Sequence, residues 1–153
     1  MTPRICAAIT SRTIKEAIEM AGIAEKDGAD VLELRLDYLK ERTSLGDVVK
    51  STSLPTILTL RKQEEGGKFR GSEKERIQTI FKATENGFKY VDLELATESL
   101  THVVKELKKV GLKIIISSHN FANTPGLSEM TRIISKERQA GADICKLITT
   151  AST

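Results

Sequence analysis

Short apolar runs alternate with stretches of helical spacing along the whole chain. Residues 5–9 form a brief apolar run that reads as a strand. From 13 to 26, Ile14, Ala17, Ile18 and Ala21 recur every three or four positions, the spacing of an amphipathic helix. The unit then repeats. Strands are predicted at 31–36, 56–60, 90–95, 112–117 and 144–148. Between them lie a weak helix at 45–50, a helix opened by Ser72-Glu73-Lys74-Glu75 and carrying Ile77, Ile80 and Phe81, a helix marked by Leu100, Val103, Val104 and Leu107, and one marked by Leu127, Met130, Ile133 and Ile134. The Ser72-x-x-Glu75 spacing is that of a capping box. Gly28, Gly87, Gly111 and Gly141 each follow a helical stretch and precede a strand, where a left-handed helix stop is expected. Asp27-Gly28-Ala29-Asp30-Val31 and Ala140-Gly141-Ala142-Asp143-Ile144 look alike, and we read both as helix-to-strand joints.

Strand–helix alternation implies a parallel α/β sheet with right-handed crossovers. An open doubly wound sheet and a (β/α)8 TIM barrel compete, and the strand pattern favours the barrel. A central strand of an open sheet is covered on both faces and reads apolar throughout. Here Glu33, Arg35 and Asp37 alternate with Leu32, Leu34 and Leu36, and Asp92 and Glu94 alternate with Val91, Leu93 and Leu95. Side chains alternate across a strand, so these charges share one face. A barrel turns the leucines toward its helices and the charges into its interior near the C-terminal mouth, where barrel active sites sit.

Length and composition narrow the classes. The 153 residues suit one domain, and 39% hydrophobic with 29% charged residues suits a globular core. The 24 basic residues exceed the 21 acidic by 3, too small an excess to mark a nucleic-acid binder. No apolar run approaches a membrane span, and two cysteines make no disulfide framework, so a cytoplasmic protein without nucleic-acid or membrane partners is expected.

The candidate chemistry lies at strand ends. Lys146 stands among Ile144, Cys145, Leu147 and Ile148; Arg61 closes the third strand; His119 closes the fifth. Each has a plain structural reading. Glu33 and Arg35 could be a solvated edge pair, Asp92 and Glu94 could neutralise neighbouring cations, His119 could be a hydrogen-bonding residue, and Lys146 could face outward. Taken together they suit carbonyl chemistry. Burial can lower a lysine pKa, a neutral amine adds to a carbonyl to give an imine, and a histidine can move the proton the imine acidifies. Gly66, Gly67 and Gly71 beside Lys68 and Arg70 fit no phosphate cradle, and the segment reads as a loop or lid.

At this point the motifs match a family. Glu33-Leu34-Arg35-Leu36-Asp37, Thr59-Leu60-Arg61 with Glu65-Gly66-Gly67, Val91-Asp92-Leu93-Glu94, Ser118-His119-Asn120-Phe121 with Thr124-Pro125, and Gly141-Ala142-Asp143-Ile144-Cys145-Lys146 occur in order. In this the chain resembles type I 3-dehydroquinate dehydratase, along essentially its whole length. The resemblance implies a (β/α)8 barrel, often a homodimer, needing no metal or organic cofactor, that dehydrates 3-dehydroquinate to 3-dehydroshikimate through a Schiff base in the shikimate pathway. It implies Lys146 as the imine-forming residue and His119 as the proton carrier. Glu33, and Asp92 or Glu65, would orient and tune the histidine, and Arg35 and Arg61 would bind substrate oxygens. We place Lys146, His119 and Glu33 as catalytic, and Arg35, Arg61, Glu65 and Asp92 on the substrate.

The family continues with two further βα units, which bring an arginine, a serine and a glutamine to the substrate. The resemblance therefore implies a C-terminally truncated catalytic domain over residues 1–153, with self-association or reduced stability and weak or absent turnover. The alternatives are another Schiff-base lyase of aldolase type, and a non-catalytic remnant that binds a metabolite or a partner.

Overall fold

The computed structural model describes residues 2–151. Six strands and five helices follow one another in the predicted alternation: β1 (Cys6–Ile9), α1 (Ile14–Lys26), β2 (Val31–Arg35), α2 (Leu45–Lys50), β3 (Thr56–Thr59), α3 (Glu73–Thr84), β4 (Tyr90–Glu94), α4 (Leu100–Lys109), β5 (Lys113–Asn120), α5 (Leu127–Gln139) and β6 (Ile144–Thr149). The sheet is parallel throughout, and its strand order is the chain order. It curls into a half-barrel with the helices outside. Among the described residues, β1 and β6 each pair on one side only.

The alternation read from the strands is the alternation of the barrel wall. Leu32, Leu34, Leu58, Val91, Leu93, Ile114 and Ile116 are buried in one cluster with Ala17, Ala21, Val103, Val104 and Leu107 from the helices. The opposite parity carries Glu33, Thr59, Asp92, Glu94 and Ser117, all buried on the inner face.

The two similar joints are built alike. The Asp30 backbone N–H donates to the Ile5 carbonyl at 2.8 Å, and its carboxylate accepts from the Ile5 N–H at 2.7 Å. Asp143 does the same at Ile114, at 2.8 Å for both bonds. Gly28 and Gly141 precede them at φ 90 and 100, which favours glycine. Each joint thus pins a new strand to the start of its neighbour.

The structure differs from the sequence reading at two places. Strand β5 runs on to Asn120, so His119 lies within the ladder, opposite Ile148, rather than at its close. On α3 the fully buried stripe is Arg76, Ile80 and Ala83, while Ile77 and Phe81 are partly buried at its side.

Candidate active site

The polar parity of β2, β4, β5 and β6 converges on Lys146. Its ammonium Nζ lies 3.1 Å from Asp92 Oδ2 and 3.3 Å from Glu33 Oε1. In the β5–β6 register Lys146 stands opposite Ser117, and β4 lies on the far side of β5. Glu33 is fixed by the Thr59 hydroxyl, which donates to Oε1 at 2.8 Å. The other Asp92 oxygen accepts from Arg61 at 2.7 Å and from the Ser117 hydroxyl at 2.7 Å. Arg61 also donates to Ser117 Oγ at 2.8 Å and pairs with Glu94 at 3.1 Å. Beneath Lys146 lies a cavity of about 270 Å³ lined by Cys6, Val31, Ile57, Tyr90 and Ile115. The lysine therefore stands between an apolar floor and an acidic ring.

That ring decides the state of the amine. The sequence reading expected burial to favour neutral Lys146. Burial does act in that direction and is the largest single influence, but Asp92 and Glu33 together outweigh it and raise the pKa above the ordinary lysine value. The resting group is an ammonium. Asp92 shows the complementary balance: burial pushes its carboxyl up, while Arg61, Lys146 and the Ser117 hydroxyl hold it below its ordinary value. Arg61 is disfavoured by burial, yet Asp92 and Glu94 leave its pKa raised.

His119 has a partner of its own. Its Nδ1 lies 2.8 Å from Glu65 Oε2, and the same oxygen accepts the His119 backbone N–H at 3.2 Å. A carboxylate only accepts, so Nδ1 carries a proton toward Glu65 and Nε2 is the ring nitrogen left to face the site. Glu65 reaches across from a 3-10 turn, Gln63–Glu65. The following loop is anchored rather than free: Gly67 N–H donates to the Lys62 carbonyl, Phe69 N–H to the Arg61 carbonyl, and Lys68 N–H to Asp37 Oδ2 at 3.0 Å. Phe121 stacks on the imidazole with ring centres 5.9 Å apart.

The sequence-derived site residues thus separate into three groups. Lys146, Glu33, Asp92 and Arg61 are bound together. His119 and Glu65 form a second pair at the mouth. Arg35, at the end of β2, forks onto Asp37 at 2.9 and 2.8 Å and lies 5.0 Å from the Tyr38 ring centre. Arg61 is 2% exposed, with its NH1 and NH2 groups engaged by Ser117, Glu94 and Asp92. Thr59 and Ser117, the hydroxyls that bind Glu33 and Asp92, lie at strand ends that the sequence marks as polar but to which it assigns no role. Their inward parity was the available signal. Among the described residues no group of His, Cys, Asp and Glu is placed to hold a metal ion, and no helix is long and apolar enough to cross a membrane.

A sequence model described as type I 3-dehydroquinase matches residues 5–153. The chain is 39% identical over 153 residues to a bifunctional 3-dehydroquinate dehydratase/shikimate dehydrogenase of Arabidopsis thaliana, covering 96% of this chain and 25% of that protein. It is 37% identical over 149 residues to a 3-dehydroquinate dehydratase of Methanococcus maripaludis, covering 96% of this chain and 67% of that one. The solved structure of 3-dehydroquinate dehydratase from Geobacillus kaustophilus matches the fold with a TM-score of 0.90 at 23% identity, over 100% of this chain and 64% of that one. The chain spans a quarter of the bifunctional relative and about two thirds of the other two.

Proposed function

The chain belongs to the type I 3-dehydroquinase family, and on that footing we propose that its inner-face cluster dehydrates 3-dehydroquinate to 3-dehydroshikimate through an imine on Lys146. The observation that carries this reading is the Lys146 ammonium held 3.1 and 3.3 Å from two carboxylates, with a second, independently oriented pair formed by His119 on the adjoining strand and Glu65 on the 3-10 turn.

The chemistry follows from those positions. The ammonium must lose a proton before it attacks, and Asp92 or Glu33 is close enough to take it. The free amine adds to the substrate ketone and water leaves, giving an iminium. The iminium acidifies the adjacent carbon, and His119 Nε2 removes its proton. The resulting enamine expels the β-hydroxyl, which takes a proton from the imidazolium and departs as water. Hydrolysis of the imine consumes one water and restores Lys146, so the net change is loss of one water. Glu65 fixes the histidine tautomer and stabilises the imidazolium between the two transfers. Arg35, whose side chain is 16% exposed, we assign to the substrate oxygens. Arg61 we assign to holding Asp92. We read the assembly as a cytoplasmic homodimer acting on this small-molecule substrate.

The test is appearance of the conjugated enone by ultraviolet absorbance after addition of 3-dehydroquinate. The reading expects it from the parent chain, at a rate that is low where substrate contacts are lacking, and its loss in His119→Ala and Lys146→Ala. Cleavage of a sugar phosphate instead would favour an aldolase-type lyase.

A further inference from the structure

A fully buried arginine stands behind the site, on a helix that carries none of the residues assigned above. Arg76 lies in the first turn of α3, where the Ser72–Glu75 capping box fixes the helix start. It shares a buried stripe with Ile80 and Ala83, positions ordinarily apolar. A guanidinium persists there only if its donors are met. Arg76 Nε and NH2 donate to the two Glu73 oxygens at 2.8 Å each, and NH2 also donates to Thr97 Oγ1 at 2.9 Å. Its NH1 donates to the carbonyl of Leu60, the residue before Arg61, at 3.3 Å, and lies 2.6 Å from Glu94 Oε2.

The contacts form one line of alternating charge. Glu73 meets Arg76, Arg76 meets Glu94, Glu94 meets Arg61 at 3.1 Å, Arg61 meets Asp92 at 2.7 Å, and Asp92 meets Lys146 at 3.1 Å. We propose that Arg76 is a positioning residue for imine formation: by neutralising Glu94 it leaves Arg61 to Asp92, and so limits how tightly Asp92 holds the Lys146 ammonium. The proposal rests on Lys146 being the imine-forming group.

Counting Glu33, and Lys62 whose ammonium lies 3.7 Å from Glu73, four carboxylates face four cations, a formal balance of zero that becomes −1 without Arg76. Glu94 then competes for Arg61, Asp92 keeps more of its negative charge, and the ammonium is held more strongly. The other groups around Lys146 stay as they are: Glu33 from β2, Cys6 from β1, Ser117 from β5, and buried Glu137 of α5 behind the strand.

The test is competitive acetylation of the whole chain with acetic anhydride across a pH series, with Lys146 reactivity read by mass spectrometry. It needs no substrate. Arg76→Met is expected to raise the midpoint for Lys146 by about half a pH unit, the size expected of one partly screened charge. Arg76→Lys keeps the charge and should restore the parent midpoint. Glu94→Gln should lower it, and supplies the readout if Arg76→Met fails to fold; the double variant should return near the parent. Midpoints unmoved in Arg76→Met and Glu94→Gln, with only thermal stability reduced, would overturn the proposal. Borohydride trapping with 3-dehydroquinate, run in parallel, reports on the imine itself, so failure of the coupling and failure of the proposed function give different results.

Discussion

One oxygen of Glu65 accepts two hydrogen bonds from His119, at 2.8 Å from the ring Nδ1 and at 3.2 Å from the backbone N–H. The carboxylate therefore fixes the tautomer and the ring orientation together, across 54 residues of sequence. Glu65→Ala removes both constraints while leaving Lys146 and its carboxylates in place. General acid–base transfer contributes typically 10²–10⁴-fold, so loss of its orientation is expected to lower kcat by about 10–100-fold. KM should change little, because Glu65 meets the base rather than the ammonium site. Steady-state enone formation measures both, and an unchanged kcat would remove Glu65 from the mechanism.

The turn that carries Glu65 leaves no room for a side chain at Gly67. A Cβ there would lie 2.1 Å from the Arg61 carbonyl oxygen and 2.4 Å from its carbon, both backbone atoms that cannot swing away. Gly67→Ala is expected to push the loop off Arg61 and to cost about 1–3 kcal/mol, the usual range for forced overpacking. Because the same displacement carries Glu65 away from His119, kcat should fall along with Tm. Thermal unfolding and turnover on one sample would check this. A normal Tm with a normal kcat would contradict the packing described here.

The acidic ring predicts a stability plateau with two limbs. Asp92 has a folded pKa below its ordinary 3.8. Its contribution is therefore complete above that value and is lost as pH falls through the lower, folded one. Lys146 has a folded pKa above its ordinary 10.5. Its contribution is complete below that value and is lost as pH rises through the raised one. Asp92→Asn should flatten the acid limb and, by removing a partner of the ammonium, bring Lys146 labelling to lower pH. Denaturant unfolding from acid to alkaline pH, parent against variant, tests both. An acid limb of the same size in the variant would refute the assignment to Asp92.

Much of the wall and part of the site were legible from parity alone. Glu33, Asp92 and Lys146 alternate with leucines, valines and isoleucines, and period-two geometry placed them on one face before any contact was known. The G-A-D joints were legible because glycine stops and strand starts are local. What sequence could not divide was the work of the carboxylates. Glu65 reaches His119 only because an anchored turn folds back over β5, whereas Glu33, 113 residues from Lys146, meets it through the curl of the sheet. The protonation of Lys146 was misjudged for the same reason: burial is readable from neighbouring apolar residues, but the two carboxylates that reverse its effect come from other strands. Arg76 went unnoticed because a charged residue beside Ile77 and Ile80 reads as the solvent edge of a helix until the stripe is seen to be Arg76, Ile80 and Ala83.

The most direct measurement of the central claim is mass spectrometry after borohydride reduction in the presence of 3-dehydroquinate, comparing the parent chain with Lys146→Ala. The account predicts one covalent adduct on the parent, mapped to the peptide that contains Lys146, and none on the variant. An adduct of equal yield on Lys146→Ala, or no adduct on a parent chain shown to be folded, would contradict it.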